Sequence, residues 1–341
     1  MISEKVPGFI SWHFSKSGLK IPRISSVISF ADTLGSWKAR WGLGRMSYIV
    51  PPGLYALGLP DETSPVIVTA NYKMTYDLVR AALEGENVWL LVLETYGINV
   101  WCAAGKGTFG TGELVRRVKD AGLGEVVNHR ELILPLLGAA GVKGVEVFKR
   151  CGFKVRFSTI RAADLPGYIR KGEAAGSSRE LTFTAAERLV LTPVEIVSAV
   201  GKSLPLLGVL FLSGGLFSNG FSLANALAAV LAYLTAVLSG CFLAPLLLPW
   251  LPTPCFSIKG AITGFFTAVL FCLFAGLDSI AYGAAAILMI SAFSSFLMLN
   301  FTGSTPYTSR SGVKKEMKWA LPLQGVALLI GVILVVTRRF F

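Results

Sequence analysis

The sequence predicts an α/β domain with a mostly parallel sheet, followed by an all-α domain of membrane-spanning helices. Before residue 200, continuous apolar runs alternate with one-sided apolar runs, which is typical of a sheet covered by helices on both faces. Residues 1–200 also hold 24 of the 32 Lys and Arg residues and 18 of the 20 Asp and Glu residues. The remaining residues form long apolar runs, and the mean hydropathy of the chain is +0.62.

We place the α/β domain at residues 51–200. Residues 1–50 fit no strand–helix pattern, and we expect them to form an extension packed on the domain. Continuous apolar runs predict strands, and runs with one apolar face predict helices. The strands are expected at residues 65–70, 88–94, 153–159 and 188–191, and the helices at residues 75–83, 111–122 and 162–170. Ligands of such sheets bind beyond the carboxyl ends of the strands.

The second domain is placed at residues 203–341, where five apolar segments approach the length needed to cross a hydrocarbon layer of ~30 Å. The predicted helices are at approximately 203–219, 222–247, 257–275, 278–301 and 319–337. Charged residues lie at the ends of these segments and not at mid-membrane depth, which favours an anchor over a transporter.

Basic residues near the segment ends indicate the orientation. With the first domain inside, the inner loops carry Lys259, Arg310, Lys314, Lys315 and Lys318, whereas the outer loops carry only Asp278. Arg338 and Arg339 would then lie outside, against this trend. The positive-inside rule still favours a multi-pass protein of the inner (cytoplasmic) membrane, with the α/β domain on the cytoplasmic side.

The net charge of +12 is consistent with cytoplasmic loops that face anionic membrane lipid. The sequence has no Lys/Arg cluster with interleaved aromatic residues, so we expect no nucleic-acid partner. The five cysteines form no CxxC pair and no iron–sulfur spacing. We therefore expect free thiols and no iron–sulfur cluster in this chain.

One cysteine lies at the edge where a ligand is expected. Cys102 follows the second predicted strand, and the small residues Ala103, Ala104 and Gly105 come directly after it. Small neighbours allow a large flat group to approach the backbone. A nearby helix N-terminus, and Lys106 one turn further on, favour the thiolate form. The other interpretation is a small hydrophobic cysteine packed under the sheet, and these residues alone leave both open.

The same stretch allows a competing interpretation. Gly105, Gly107 and Gly110 match the G-x-G-x-x-G pattern of dinucleotide-binding loops. A true fingerprint begins directly at a strand end, but about ten residues intervene here after Glu94. We expect these glycines to form a turn into the next helix. A membrane-tethered NAD-dependent oxidoreductase stays open as a less favoured alternative.

Residues 99–106, NVWCAAGK, resemble the signature of the membrane-bound corrinoid proteins of microbial mercury methylation. Residues 68–73 (VTANYK), 161–166 (RAADLP) and 188–195 (RLVLTPVE) are similar to the corrinoid domain of the corrinoid iron–sulfur protein of the acetyl-CoA pathway. The resemblance implies a Rossmann-like domain that binds a cobalamin-type corrinoid with its cobalt. It also implies a cap helix over the lower face of the ring, with Cys102 as lower axial cobalt ligand and catalytic residue.

From this resemblance we expect the corrinoid site to consist of two residues at the end of the first predicted strand and the whole motif. These residues are Thr69, Asn71, Asn99, Val100, Trp101, Cys102, Ala103, Ala104, Gly105 and Lys106. Trp101 would brace the cap helix. Tyr72 and Lys73 are candidates for contact with the corrinoid tail.

The activity that the resemblance implies is that of a corrinoid-dependent methyltransferase, which transfers a methyl group from cobalt to Hg(II) and forms methylmercury. Hg(II) is an electrophile and needs a methyl carbanion or radical equivalent, which an electron-rich thiolate below cobalt would favour. Restoring the cofactor needs two electrons. We therefore expect a ferredoxin-like partner, and a methyl donor such as methyltetrahydrofolate or its methyltransferase. The resemblance implies that the ferredoxin-like partner carries two 4Fe–4S clusters. A corrinoid methyl carrier for another acceptor stays open.

Overall fold

The protein is described from a computed structural model that covers residues 6–15, 17–173, 175–217, 220–276, 279–305, 307–308 and 310–340. Contacts between Cα atoms divide the chain into two compact units. The first consists of residues 1–39 and 43–181, and the second of residues 40–42 and 182–341. The first unit contains the large sheet, and the second contains the long apolar helices.

A seven-stranded mixed sheet forms the centre of the first unit. Its strands are β1 (Phe9–Phe14), β2 (Lys20–Ile24), β3 (Gly53–Leu57), β4 (Val66–Ala70), β5 (Val88–Leu93), β6 (Glu131–Leu134) and β7 (Lys154–Phe157). They lie in the order β1-β2-β3-β5-β4-β6-β7. The β1–β2 and β3–β5 pairs are antiparallel, and the other four neighbouring pairs are parallel. The predicted α/β class and the mostly parallel sheet are confirmed.

The central strands explain why the sheet is covered on both faces. Every residue of β4 and β5 is buried. Side chains alternate between the two faces of a strand. Val68 and Leu91 accordingly pack into one core cluster, whereas Ile67 and Leu90 pack into another. The strand predictions at residues 65–70, 88–94 and 153–159 correspond to β4, β5 and β7.

Seven helices surround this sheet in the described part of the first unit. They are α1 (Phe30–Arg40), α2 (Lys73–Ala82), α3 (Val100–Lys106), α4 (Thr111–Asp120), α5 (Leu123–Val126), α6 (Gly144–Cys151) and α7 (Leu165–Lys171). The predictions at residues 75–83 and 111–122 are confirmed by α2 and α4. The prediction at residues 162–170 holds from Leu165 onwards, because Ala162–Asp164 forms a 3-10 turn that leads into α7.

Regular structure also occurs in residues 1–50, where the sequence pattern predicts none. β1, β2 and α1 lie there, and β2 pairs in parallel with β3, so the segment extends the sheet itself. Residues 1–5 and 16 lie outside the described residues. The sequence does not predict these two strands because they are not continuous apolar runs. β1 has no buried residue, and only two of the five residues of β2 are buried.

Four charged side chains form a closed ring between α1 and α2, which we call the charge ring: Asp32, Lys73, Asp77 and Arg80. The Lys73 ammonium lies 2.5 Å from Asp32 and 2.6 Å from Asp77. The fully buried Arg80 guanidinium lies 2.8 Å from each of the same carboxylates. Burial alone would raise the pKa of Asp32, but its bonds with Lys73 and Ser29 outweigh burial and hold the pKa well below 3.8. Lys73, a candidate for the corrinoid tail, thus has its charge satisfied within the fold.

The second unit is mostly helical. Its elements are α8 (Ala185–Lys202), α9 (Leu204–Gly215), β8 (Leu216–Phe217), β9 (Gly220–Phe221), α10 (Leu223–Leu238), α11 (Ala244–Leu246), α12 (Phe256–Ala275), α13 (Ile280–Asn300) and α14 (Arg310–Phe340). The prediction of a strand at residues 188–191 is wrong, since these residues lie in α8. Thr184 and Glu187 form a capping box that starts this helix, and a short apolar run fits a helix as well as a strand.

Four segments of this unit are long and apolar enough to cross a membrane: Leu223–Leu246, Phe256–Ala275, Ile280–Gly303 and Ser311–Arg338. They correspond to the last four predicted segments. The first predicted segment, residues 203–219, contains α9 of 12 residues, which would span only together with α8, from which it bends by 59°. The described residues therefore hold four candidate spans, or five if the bent pair is counted. Residues 218–219 and 277–278, which include Asp278, lie outside the described residues.

Candidate cofactor site at the carboxyl edge of the sheet

A tight turn connects the end of β5 to α3. The Ile98 N–H donates to the Thr95 carbonyl at 3.2 Å, and the two residues between them have positive φ, 55° at Tyr96 and 71° at Gly97. A side chain at Gly97 would also meet the Met46 carbonyl oxygen at 3.0 Å. Position 97 therefore requires glycine, and this turn sets where α3 begins.

Asn71 holds this turn in place. It follows β4, is fully buried, and its side-chain nitrogen donates to Glu94 at 2.6 Å. Its side-chain oxygen accepts from the Thr95 N–H at 3.0 Å, the Thr95 hydroxyl at 2.9 Å and the Gly97 N–H at 3.3 Å. The amide that the resemblance assigns to corrinoid binding is thus bonded within the chain, where it positions the loop before α3.

Asn99 caps the N-terminus of α3. Its side-chain oxygen accepts from the Cys102 N–H at 2.9 Å, and its carbonyl accepts from the Ala103 N–H at 2.9 Å. At the other end, Gly107 terminates the helix with a φ of 82°. The motif therefore encodes the N-terminal cap and the whole of one short helix, the next residue Gly107 supplies the C-terminal cap, and Cys102 lies in the first turn.

One face of α3 is buried in the core and consists of Val100, Ala103 and Ala104. The loop after β6 packs closely beneath this face. A side chain at Gly141 would meet the Ala104 Cα at 3.0 Å and the Phe109 carbonyl oxygen at 2.1 Å, so only glycine fits there. The contact between Gly141 and Ala104 explains why the helix needs small residues on its inner side.

The opposite face of α3 points away from the core. Trp101 and Cys102 are half-buried on it, and Gly105 and Lys106 are exposed. Gly105 lies three residues after Cys102, one helical turn further on, and a side chain at this position would meet no atom within 4 Å. Glycine inside a helix costs about 1 kcal/mol relative to alanine. Packing within the described chain does not require this glycine, which leaves the surface beside Cys102 flat and open.

Thr69 is a second unusual feature at this edge. It lies at the penultimate position of β4 and is 1% exposed, yet its hydroxyl has no hydrogen-bond partner among the described residues. An unpaired buried hydroxyl typically costs about 1–3 kcal/mol. Such a group indicates a place where a partner from outside the chain would be favoured.

Glu113 is a site residue that the sequence pattern does not reveal. Its carboxylate accepts from the Glu94 N–H at 2.9 Å and pairs with Arg116 at 2.5 Å and Arg117 at 2.9 Å. Burial would raise the pKa of Glu113, but these bonds outweigh it and lower the pKa. Through Glu94, Glu113 ties α4 to the same turn that Asn71 holds. A polar residue directly after a buried strand is the signal that could have indicated Glu94.

The competing glycine pattern does not form a dinucleotide-binding loop here. Gly105 lies inside α3, Gly107 ends α3, and Gly110 precedes α4. A dinucleotide fingerprint would place its glycines directly between a strand and a helix. In this fold α3 occupies that place. The prediction of a turn into the next helix is confirmed for Gly107 and Gly110 and is wrong for Gly105, which lies inside α3.

The other cysteine of the first unit differs from Cys102. Cys151 is the last residue of α6, three residues before β7, and its thiol donates to the Val147 carbonyl at 3.2 Å. Among the described residues, no group of three or more His, Cys, Asp or Glu side chains could hold a metal ion. A metal at Cys102 would therefore need its remaining ligands from a cofactor.

Comparisons with known proteins identify similarity in the same part of the chain. Residues 44–158 match the family described as CO dehydrogenase/acetyl-CoA synthase delta subunit. Three relatives are gamma subunits of the acetyl-CoA decarbonylase/synthase complex. The subunit of Methanopyrus kandleri is 41% identical over 125 residues, that of Methanocaldococcus jannaschii 39% over 128, and that of Archaeoglobus fulgidus 32% over 124.

These alignments cover 36–37% of this chain and 26% of each relative, so the chain spans about a quarter of the length of the relatives it matches. The matched family range contains residues 68–73 and 99–106, two of the segments that carry the resemblance. Residues 161–166 and 188–195, and the apolar helices, lie beyond it. The family match therefore covers strands β3 to β7 and the helices between them, including α3, and leaves out β1 and β2.

Proposed function

We propose that this chain is a membrane-anchored corrinoid protein that transfers a methyl group from cobalt to Hg(II). Cys102 would hold the cobalt of the bound corrinoid through its thiol and is the catalytic residue. The observation that carries the proposal is the outward face of α3, where the Cys102 thiol and the open surface of Gly105 lie one turn apart. This face belongs to the NVWCAAGK motif and lies at the carboxyl edge, where α/β sheets bind ligands.

The residues present fit a corrinoid. The ring is large and flat, and the surface beside Gly105 offers such a group close access to the helix. Corrin rings carry peripheral amide side chains, which would provide the partner that the buried Thr69 hydroxyl lacks within the chain. A half-buried thiol on the same face would supply the soft ligand to cobalt.

Some residues of the site would contact the corrinoid, and others would position those that do. Thr69, Trp101, Cys102, Gly105 and Lys106 would contact the corrinoid. A bound corrinoid would supply the cobalt atom from which the methyl group is transferred.

The positioning residues act through the backbone. Asn99 would fix the backbone of Cys102, and Asn71 would fix the turn that leads to it. Val100, Ala103 and Ala104 would hold the helix against the core.

The wider assembly follows from this chemistry. The apolar helices would anchor the chain in the cytoplasmic membrane, with the α/β unit and the basic start of α14, Lys314, Lys315 and Lys318, on the cytoplasmic side. A ferredoxin-like protein with two 4Fe–4S clusters would supply electrons, because no iron–sulfur spacing is present in this sequence. Methyltetrahydrofolate or its methyltransferase would supply the methyl group.

A corrinoid methyl carrier for another acceptor is the second candidate. The similarity to subunits of an acetyl-CoA decarbonylase/synthase complex favours it, since the names of these relatives do not involve mercury. Cys102 has the same role in both candidate functions, and only the methyl acceptor differs. A NAD-dependent oxidoreductase is not favoured, because Gly105 lies inside α3 and this helix separates β5 from Gly107 and Gly110.

The test is methylmercury formation in anaerobic cells of a host that lacks this gene and receives it on a plasmid. Cells with the wild-type chain should convert added Hg(II) to methylmercury, Cys102→Ala cells should not, and Cys151→Ala cells should remain active. A wild-type protein that binds corrinoid but forms no methylmercury would favour the other acceptor. A protein that binds no corrinoid would overturn both candidates.

A further inference from the structure

Helix α1 carries an apolar stripe that the described chain leaves uncovered. Phe30, Leu34 and Trp37 are 82%, 42% and 64% exposed. Their spacing of four and then three residues places them on one face of the helix. Three large apolar side chains on one exposed face are unusual for a surface helix of a soluble domain and indicate contact with another apolar phase.

The opposite face of α1 is held firmly by the first unit. Asp32 belongs to the charge ring, and the Tyr48 hydroxyl donates to the Asp32 carbonyl at 3.0 Å. A side chain at Gly35 would meet the Tyr48 hydroxyl oxygen at 2.6 Å and the Tyr48 ring at 2.8 Å, so the helix packs closely there. Ala39, on this same face, is fully buried. The apolar stripe is thus directed outward by the fold.

The charges of α1 are arranged around the stripe. At about 100° per residue, the exposed Lys38 lies roughly 80° to one side of the centre of the stripe. Asp32 is the one acidic residue in the sequence of the helix, and it lies roughly opposite the stripe, in the charge ring. The outward side of α1 therefore combines an apolar centre with a basic residue beside it.

We propose that α1 lies in the surface of an anionic lipid bilayer. Phe30, Leu34 and Trp37 insert at the level of the upper acyl chains, and Lys38 contacts lipid phosphates. Helices that bind in the membrane interface have this design, with Trp, Phe and Leu on one side and Lys or Arg beside them. A protein partner would also cover the stripe, but exposed Phe, Leu and Trp side chains beside an exposed Lys match an anionic lipid surface better. The inference rests only on the membrane anchoring in the proposed function, and not on the methyl acceptor.

The test uses the full chain in vesicles of phosphatidylglycerol and phosphatidylethanolamine, with a photoreactive residue that reacts with nearby C–H bonds. The variant Leu34→p-benzoylphenylalanine is irradiated and its adducts are identified by mass spectrometry. The same residue replaces Phe266 in α12, a candidate membrane span, as a positive control. It replaces Val145 in α6, which is 73% exposed, as a matched control away from the stripe.

We expect lipid adducts at positions 34 and 266, and at least fivefold fewer at position 145. Lipid adducts at 266 together with only peptide adducts at 34 would overturn the inference and leave the membrane anchor intact. Failure to find lipid adducts at 266 would overturn the anchor and the inference with it.

Charge reversal provides an independent readout. Adding Lys38→Glu should lower the lipid adducts at position 34 severalfold in vesicles that contain phosphatidylglycerol and leave those at position 266 unchanged. In vesicles of phosphatidylcholine alone, Lys38→Glu should make little difference. Equal adduct yields with and without Lys38→Glu in the anionic vesicles would contradict the role of Lys38.

Discussion

The side-chain oxygen of Asn99 lies 2.9 Å from the backbone nitrogen of Cys102 and accepts its hydrogen bond. The first residue of the motif thus fixes the backbone of its fourth residue. Because α3 has only seven residues, its caps contribute much of what keeps it helical. The Cys102 side chain is therefore held at a defined position before any cofactor binds.

Removing this cap should loosen the cofactor site without removing the thiol. We expect Asn99→Ala to cost about 0.5–2 kcal/mol. Amide hydrogen exchange in residues 102–104 should be faster, and corrinoid retention after gel filtration should be lower. Asn99→Asp, which preserves the cap, is the control and should retain more corrinoid than Asn99→Ala. Unchanged corrinoid retention in Asn99→Ala, despite faster exchange, would show that the cap does not position Cys102.

Gly105 provides a test of the open surface on α3. Gly105→Ala should favour the helix by about 0.5–1 kcal/mol in the absence of cofactor, because alanine is the better helix former and meets no neighbour. The added methyl group should nevertheless weaken corrinoid binding, measured as cobalt per protein after reconstitution. Gly112→Ala in α4 is the matched control, since a side chain there also meets no atom within 4 Å. Equal cobalt content in the two variants would contradict a cofactor close to Gly105.

The unpaired hydroxyl of Thr69 predicts an uncommon combination of effects. Thr69→Val keeps the shape of the side chain and removes a buried hydroxyl without a partner in the described chain. We expect the thermal stability without cofactor to be unchanged or higher, and the affinity for corrinoid to fall. Thr95→Val is the contrasting variant, because the Thr95 hydroxyl bonds Asn71 at 2.9 Å and the Ile98 carbonyl at 2.7 Å, and it should be destabilised. A loss of stability in Thr69→Val with normal corrinoid affinity would refute this role of Thr69.

The charge ring predicts a pH dependence of local stability. Its bonds hold the pKa of Asp32 below 3.8, so the ionised side chain stabilises the fold above about pH 4, and this contribution is lost as the pH falls further. Removing one partner of a buried ion pair costs roughly 3–5 kcal/mol. Because 14% of the Asp32 side chain remains exposed, we expect Asp32→Asn to destabilise α1 and α2 near neutral pH by about 3 kcal/mol.

Hydrogen exchange of the α2 amides, corrected for the intrinsic effect of pH, measures this contribution. The difference between the wild-type protein and Asp32→Asn should be large at pH 7 and shrink below pH 4. Ser36→Ala, a change on the same helix outside the ring, is the control and should show a small difference at both pH values. A difference for Asp32→Asn that does not depend on pH would contradict the ring.

The sequence predicts the centre of the sheet well, because β4 and β5 are continuous apolar runs that only a doubly covered sheet explains. It does not predict β1 and β2, whose mixed composition reflects a half-exposed edge of the sheet. The assignment at residues 188–191 fails for another reason. A run of four residues cannot distinguish strand from helix, and the capping box at Thr184 is the signal that decides.

The candidate site is also predicted only in part from the sequence. The position of Cys102 after a buried strand, with small residues behind it, is visible in the sequence. The function of Asn71 is not, because its partners Thr95 and Gly97 lie 24 and 26 residues away and meet it only in the folded chain. The unpaired Thr69 hydroxyl likewise depends on which groups the fold brings near it, and Gly141 is required only because Phe109 and Ala104 approach it.

The bond between Cys102 and cobalt is the central claim, and cobalt K-edge X-ray absorption of the corrinoid-loaded full chain tests it most directly. The wild-type protein and Cys151→Ala should both show a sulfur neighbour of cobalt, and Cys102→Ala should show none. Hydrogen exchange of α2 and α4 would establish that the Cys102→Ala protein is folded. A wild-type spectrum with only nitrogen and oxygen neighbours, or a sulfur neighbour that persists in Cys102→Ala, would contradict the claim.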